Sequence, residues 1–240
     1  MERRRRTAPR PALLLACAVA VPAMLLAGCS SGGGSGSGDS GNAASSASSG
    51  TGSAAGTPTT PALAPAKYAT LPGDCATAGK ATITALVPKA KNPGGTPAGS
   101  VDARDRAGCS WTGNGSDGYQ YRWLSITLQR FTSTPTASAE QQAKDRFTDQ
   151  LARLGKAPGA ATSAVQGVGD QAGTVTEKAT AAKVTSQNDT LVARTGNVVV
   201  IVEYNGAGLE GKKNPTATAV RSGAERAAKD AVAAVAGANG

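Results

Sequence analysis

The dipeptide Gly196-Asn197 and its flanks restrict the fold more than any other part of the chain. Gly-Asn is a favoured two-residue hairpin turn, and residues 189–194 and 198–204 supply the two strands. The second of these runs Val198-Val199-Val200-Ile201-Val202. A strand with one wet face alternates apolar and polar residues. This one is apolar at both parities, so it calls for cover on both faces. The hairpin is therefore expected in the interior of a sheet.

Other segments supply its neighbours. In residues 118–131, Leu124, Ile126 and Leu128 share one parity while Ser125, Thr127 and Gln129 share the other, the alternation of a half-buried strand. Asn114-Gly115 is a turn signal, so residues 108–112 are expected to pair with that strand. Residues 136–154 read as an amphipathic helix: Ser138 and Gln141 have capping-box spacing, Ala139, Ala143, Phe147, Leu151 and Leu154 form one stripe, and Gly155 stops it. Ser222 and Glu225 repeat that spacing at the head of an Ala/Val-rich helix through Ala236, with Val220, Ala224, Ala228, Ala231, Val232 and Val235 at packing spacing. Residues 78–87 fit a short helix, and residues 89–106, rich in Pro, Gly and charge, fit an exposed loop.

The start of the chain carries the marks of export. Arg3, Arg4, Arg5, Arg6 and Arg10 precede an apolar run over residues 11–27 that ends in Leu26-Ala27-Gly28-Cys29. A positive segment, a short apolar run and small residues before a cysteine mark a secretory signal. The run falls short of the roughly 20 residues a spanning helix needs, and Pro22 interrupts it. Leu-Ala-Gly-Cys resembles the lipobox of bacterial lipoproteins. That resemblance implies a signal peptide over residues 1–28, cleavage before Cys29, and a diacylglycerol on Cys29 that holds the protein on the extracellular side of the cell membrane. Export by the general or the twin-arginine route stays open, although Thr7-Ala8-Pro9 does not resemble the twin-arginine motif. Residues 30–66 are nearly all Ser, Gly, Ala, Thr and Pro. Such a segment is expected to be a disordered tether with a root-mean-square span on the order of 30–35 Å.

Cys17 leaves with the leader and Cys29 is taken by lipid, so Cys75 and Cys109 remain. In an exported domain two such cysteines are expected to pair. The alternatives are two free thiols or a metal pair, and a chain without histidine or CxxC has little from which to build a zinc site. Aromatics are scarce, so the core is built from Val, Leu, Ile and Ala. Residues 67–240 are thus expected to form a single α+β domain with one disulfide, an antiparallel β-sheet with helices packed on one face.

The order of these parts carries a family likeness. A lipobox, a low-complexity tether, a Cys near the domain start, Cys109-Ser110-Trp111, a strand, a helix, Gly167-Val168-Gly169-Asp170 and the hairpin from Leu191 to Val200 resemble an actinobacterial lipoprotein family defined only as a domain of unknown function. The likeness covers residues 71–236. It implies a secreted α+β domain with a disulfide, and it supplies no substrate, cofactor or catalytic residue. The hairpin is also similar to extracellular sensor domains of actinobacterial membrane kinases, which implies a ligand-binding fold. The long loop between the cysteines and the lack of an aromatic after Asp170 depart from the family pattern.

The absence of histidine removes Ser-His-Asp and Cys-His nucleophiles and the common metal triads. Gly167-Val168-Gly169-Asp170 lacks the third glycine and the Lys-Ser/Thr of a P-loop. Carboxylate chemistry remains. A glycosidase needs two Asp/Glu side chains roughly 5–10 Å apart, and Asp170, Glu177, Asp189 and Glu203 are the candidates. The formal charge of +9 falls to +5 once the five arginines and Glu2 of the leader are gone, and no basic cluster with interleaved aromatics suggests nucleic acid.

The clearest pointer to a ligand is Trp111, Tyr119, Tyr121 and Trp123, half of the chain's aromatics within thirteen residues, the last three at one strand parity. Such a face stacks on sugar rings or an apolar ligand; the alternative is that these rings cover the sheet under a helix, with Trp111 on the disulfide. The sequence reads best as a lipid-anchored, non-catalytic binding or accessory protein of the cell envelope, with no cofactor, metal or nucleic-acid partner. An auxiliary subunit of an envelope complex and a carboxylate hydrolase of wall glycans are the other readings.

Overall fold

The computed structural model describes residues 62–240 other than Val101 and Ala182; the leader, Cys29 and the tether up to residue 61 lie outside the described residues. The helices are α1 (Lys80–Leu86), α2 (Ala139–Leu154) and α3 (Ala217–Gly237), and a 3-10 turn spans Asp74–Ala76. The strands are β1 (Lys89–Ala90), β2 (Thr96–Pro97), β3 (Arg106–Asn114), β4 (Gln120–Arg130), β5 (Ala161–Val165), β6 (Gln171–Ala181), β7 (Val184–Thr195) and β8 (Val198–Gly208). They form one antiparallel sheet in the order β1-β3-β4-β8-β7-β6-β5, with β2 also on β3. The Gly196-Asn197 turn closes the β7–β8 hairpin at the pair Thr195–Val198 and puts β8 at the centre of the sheet.

Both parities of β8 are covered, as its sequence requires. Val198, Val200, Val202 and Tyr204 pack with Leu124, Ile126, Leu128 and Leu191 under α3, which contributes Val220, Ala224, Ala227, Ala228, Ala231 and Val235. The alanines let the helix approach closely. A Cβ on Gly223 would lie 2.5 Å from the Tyr204 ring, and the Tyr204 hydroxyl donates to the carbonyl of Leu86 at 2.8 Å. One tyrosine thus ties α1, β8 and α3 together. At the β3 edge of this face the Cys75–Cys109 disulfide (S–S 2.08 Å) closes the cover, and the chain-entropy estimate for a loop of this length is about 4 kcal/mol. Trp111 packs beside it, and Gly95 sits so close to Cys109 Sγ and the indole that any side chain there would collide.

The hairpin turn is also a clamp. Asn197 is fully buried; its Oδ1 accepts from the Tyr68 amide at 2.8 Å, while its Nδ2 donates to the carbonyls of Tyr68 at 3.0 Å and Phe131 at 2.8 Å. Gly196 takes a φ of 53°, which glycine tolerates, and its amide donates to Asp170 Oδ2 at 2.7 Å. Arg194 donates to the same carboxylate oxygen at 3.1 Å. Gly167-Val168-Gly169-Asp170 therefore serves to hold the turn.

The α+β class, the single antiparallel sheet and the disulfide are as the sequence leads one to expect. The placement of the helices differs. α1 and α3 share one face, while Ala143, Phe147 and Leu151 of α2 pack on Val192, Val199 and Ile201 of the other. The two-sided apolar run of β8 demands that division. The Ser138 cap stands, accepting from the Gln141 amide at 3.1 Å. The expected cap at Ser222 does not: α3 starts at Ala217 under Thr216, whose hydroxyl accepts from the Ala219 amide at 3.1 Å, and Glu225 pairs with Arg221 inside the helix. Val220 is buried, and its packing extends the helix beyond the local signal. β5 and β6 have no clear sequence signature, and β7 begins at Val184 rather than near residue 189. The far end of the β6–β7 hairpin is exposed and rich in Ala, Thr and Lys, so ladder hydrogen bonds rather than apolar alternation hold it.

Candidate functional site

α2 covers only part of its face. It lies over Val192, Val199 and Ile201, flanked by Phe131 and Leu154, and no helix among the described residues covers the same face of β3 and β4. Two cross-strand rows floor the open part. Thr112, Trp123, Asn205 and Asn188 stand side by side on β3, β4, β8 and β7; Ser110, Ser125, Glu203 and Thr190 form the next row. Tyr121 follows Trp123 at the same parity. All nine are half-buried. At roughly 4.8 Å between strands, each row of four spans about 14 Å.

The chemistry of this floor is amphipathic. Trp123 and Tyr121 offer ring faces, Ser110, Ser125, Thr112 and Thr190 hydroxyls, and Asn188 and Asn205 amides. Glu203 forms no salt bridge among the described residues, and burial pushes its carboxyl above the usual range. Asn188 Oδ1 is buried without a hydrogen-bond partner, an arrangement that favours an incoming donor.

The aromatic residues singled out in the sequence divide. Trp111, 1% exposed, belongs to the core of the opposite face. Tyr119 is exposed just before β4 with the Lys212 ammonium 4.9 Å from its ring centre. Tyr121 and Trp123 are on the open face. The carboxylates also separate. Asp170 holds the hairpin turn. Asp189 is buried on the α3 face, where burial raises its carboxyl while hydroxyl donation from Thr174 and Thr176 opposes the rise. Asp189 and Glu203 are thus on opposite faces of the sheet; Glu177 shares a face with Glu203 two strands away. The polar residues of the rows are absent from the aromatic pattern, yet a signal for them exists. After Val202 the β8 sequence resumes alternation, with Glu203 and Asn205 polar and Tyr204 apolar, and there the second face opens.

Among the described residues no three His, Cys, Asp or Glu side chains converge to hold a metal, and no helix is long and apolar enough to cross a membrane. No family model matches the chain and no curated protein matches it. The chain is similar to the crystal structure of LpqN, a Mycobacterium tuberculosis protein involved in cell envelope biogenesis, with a TM-score of 0.31 and 10% identity, covering 56% of this chain and 87% of that one. A likeness at that level carries no inference about function, and the family resemblance of the sequence has no matching family model behind it.

Proposed function

We propose that the protein is a non-catalytic binding protein of the bacterial cell envelope, anchored on the extracellular side of the membrane through diacylglycerol on Cys29, and that its open half-face takes a saccharide. One observation carries the binding reading: Trp123 and Tyr121 stand beside two rows of hydroxyl, amide and carboxylate groups on the part of a sheet face that no helix among the described residues covers. Sugars present apolar ring faces and many hydroxyls, and this floor offers partners for both. The lipobox resemblance at Cys29 supports the address.

The test is a thermal-shift titration of the full chain in detergent with wall oligosaccharides. Saturable stabilisation that follows mass action and is lost in Trp123→Ala is the expected result. No shift with any oligosaccharide overturns the saccharide reading and favours a protein partner on the same face. Release of cleaved glycan, abolished by Glu203→Gln, overturns the non-catalytic reading. Cys29→Ala is expected to free the protein from the membrane fraction, and full retention of that variant overturns the anchor.

A further inference from the structure

Gln129 stands on the same face of the sheet as Trp123, six residues along β4 and about 20 Å away at the rise of an extended strand. Two arginines flank it. Arg146 of α2 donates from Nε to Gln129 Oε1 at 3.1 Å, and its terminal nitrogens make no hydrogen bond among the described residues. Arg106 of β3 is the cross-strand partner of Gln129 and so stands on the same face. Arg153 lies two turns further along α2. None of the three forms a salt bridge among the described residues. Partial burial and then the neighbouring charges of Arg153 and Arg106 pull the Arg146 guanidinium below its ordinary value, with Asp149 opposing. Gln129 holds this half-buried guanidinium in place.

We propose that Arg106 and Arg146, flanking Gln129 with Arg153 beside them, form a site for a phosphoryl group at the α2 end of the open face. Arg106 and Arg146 bring two guanidinium groups to this end of the face, and a phosphomonoester carries about −1.5 to −2 at neutral pH. The guanidinium fork matches two phosphate oxygens at once, which an ammonium does not. The site stands on its own geometry and goes beyond the saccharide reading. Where that reading holds as well, a ligand reaching both sites has to span about 20 Å, as a phosphorylated oligosaccharide does and a single hexose phosphate does not.

The test is a titration of the full chain in zwitterionic detergent with inorganic phosphate and, separately, with a hexose 1-phosphate, at an ionic strength held constant with sodium chloride. Saturable thermal stabilisation is expected from both, and tighter binding of the sugar phosphate would assign the phosphoryl group to a saccharide, equal binding to the free ion. Arg106→Gln and Arg146→Gln are each expected to weaken phosphate binding about tenfold, and Arg146→Lys to restore only part of it. Circular dichroism of the variants confirms that they fold. The proposal is overturned if sodium chloride alone gives the same stabilisation, or if the folded Arg106→Gln/Arg146→Gln double variant binds phosphate like the parent. Neutral oligosaccharide binding that persists in that double variant leaves the open-face reading standing when the phosphate site fails. Phosphate binding that persists in Trp123→Ala supports the site when the saccharide reading fails.

Discussion

The two faces of this sheet are made by the same strands, one residue out of step, and they are finished differently. Under α3 the face is sealed over the central strands: a 21-residue helix rich in alanine lies close over β7 and β8, and the disulfide with Trp111 closes the β3 side. Under α2 the cover stops at Ile201, and polar groups and two aromatic rings hold the rest of the face half-exposed. The sealed face carries the apolar burial that sustains the fold, at about 1.5–3 kcal/mol for each large side chain removed from water. Relieved of that task on half of its area, the other face is free to display groups that a core would not tolerate.

The sharpest way to break this contrast is to truncate one tryptophan on each face. Trp111→Ala is expected to cost about 3–5 kcal/mol, because it opens a cavity beside the disulfide. Trp123→Ala is expected to cost less than about 1 kcal/mol. Urea unfolding measures both, and equal costs would mean that the open face is covered after all. A smaller effect tests how closely the sealing helix lies. Gly223→Ala places a methyl against the Tyr204 ring and is expected to destabilise by about 1–3 kcal/mol through displacement of α3. An unchanged unfolding midpoint would show that the helix yields at no cost.

The smallest effect compares carboxyls. Burial raises both Asp189 on the sealed face and Glu203 on the open one. A carboxyl whose folded value lies above its unfolded value withholds stability as pH rises from the unfolded value, near 4, through the folded one. Glu203→Gln removes that loss. The variant is therefore expected to melt slightly above the parent at pH 7, with the difference vanishing near pH 3.5. Thermal melts at the two pH values check this, and no difference at pH 7 would place Glu203 among ordinary surface carboxylates.

Much of the buried packing on both faces is legible in the sequence, because its signals are local and periodic. The even positions of residues 124–128, the doubly apolar run from Val198, the stripe of residues 139–154 and the Ala/Val spacing after residue 220 each report one element and one buried side. The elements read least well are those that pairing creates. β5 and β6 are poor in large apolar side chains and take their form from the ladder with β7. The start of α3 fails for a related reason: Ser222 and Glu225 match a local cap, but buried Val220 and the Thr216 hydroxyl extend the helix beyond them. In the candidate site, the aromatic cluster contains the right rings together with Trp111, which sits across the sheet.

The sequence by itself determined the hairpin at Gly196-Asn197, the need for cover on both sides of β8, the absence of histidine from any site, and a start that resembles a lipoprotein signal. Only the tertiary structure decided which face each aromatic joins, that Asp189 and Glu203 stand on opposite faces, and that Arg106 and Arg146 both flank Gln129. The reason is physical. Periodicity and turn chemistry act over a few residues, so a chain reports them without being folded, whereas a site is a set of side chains from distant strands, and only the register of those strands brings them to one face.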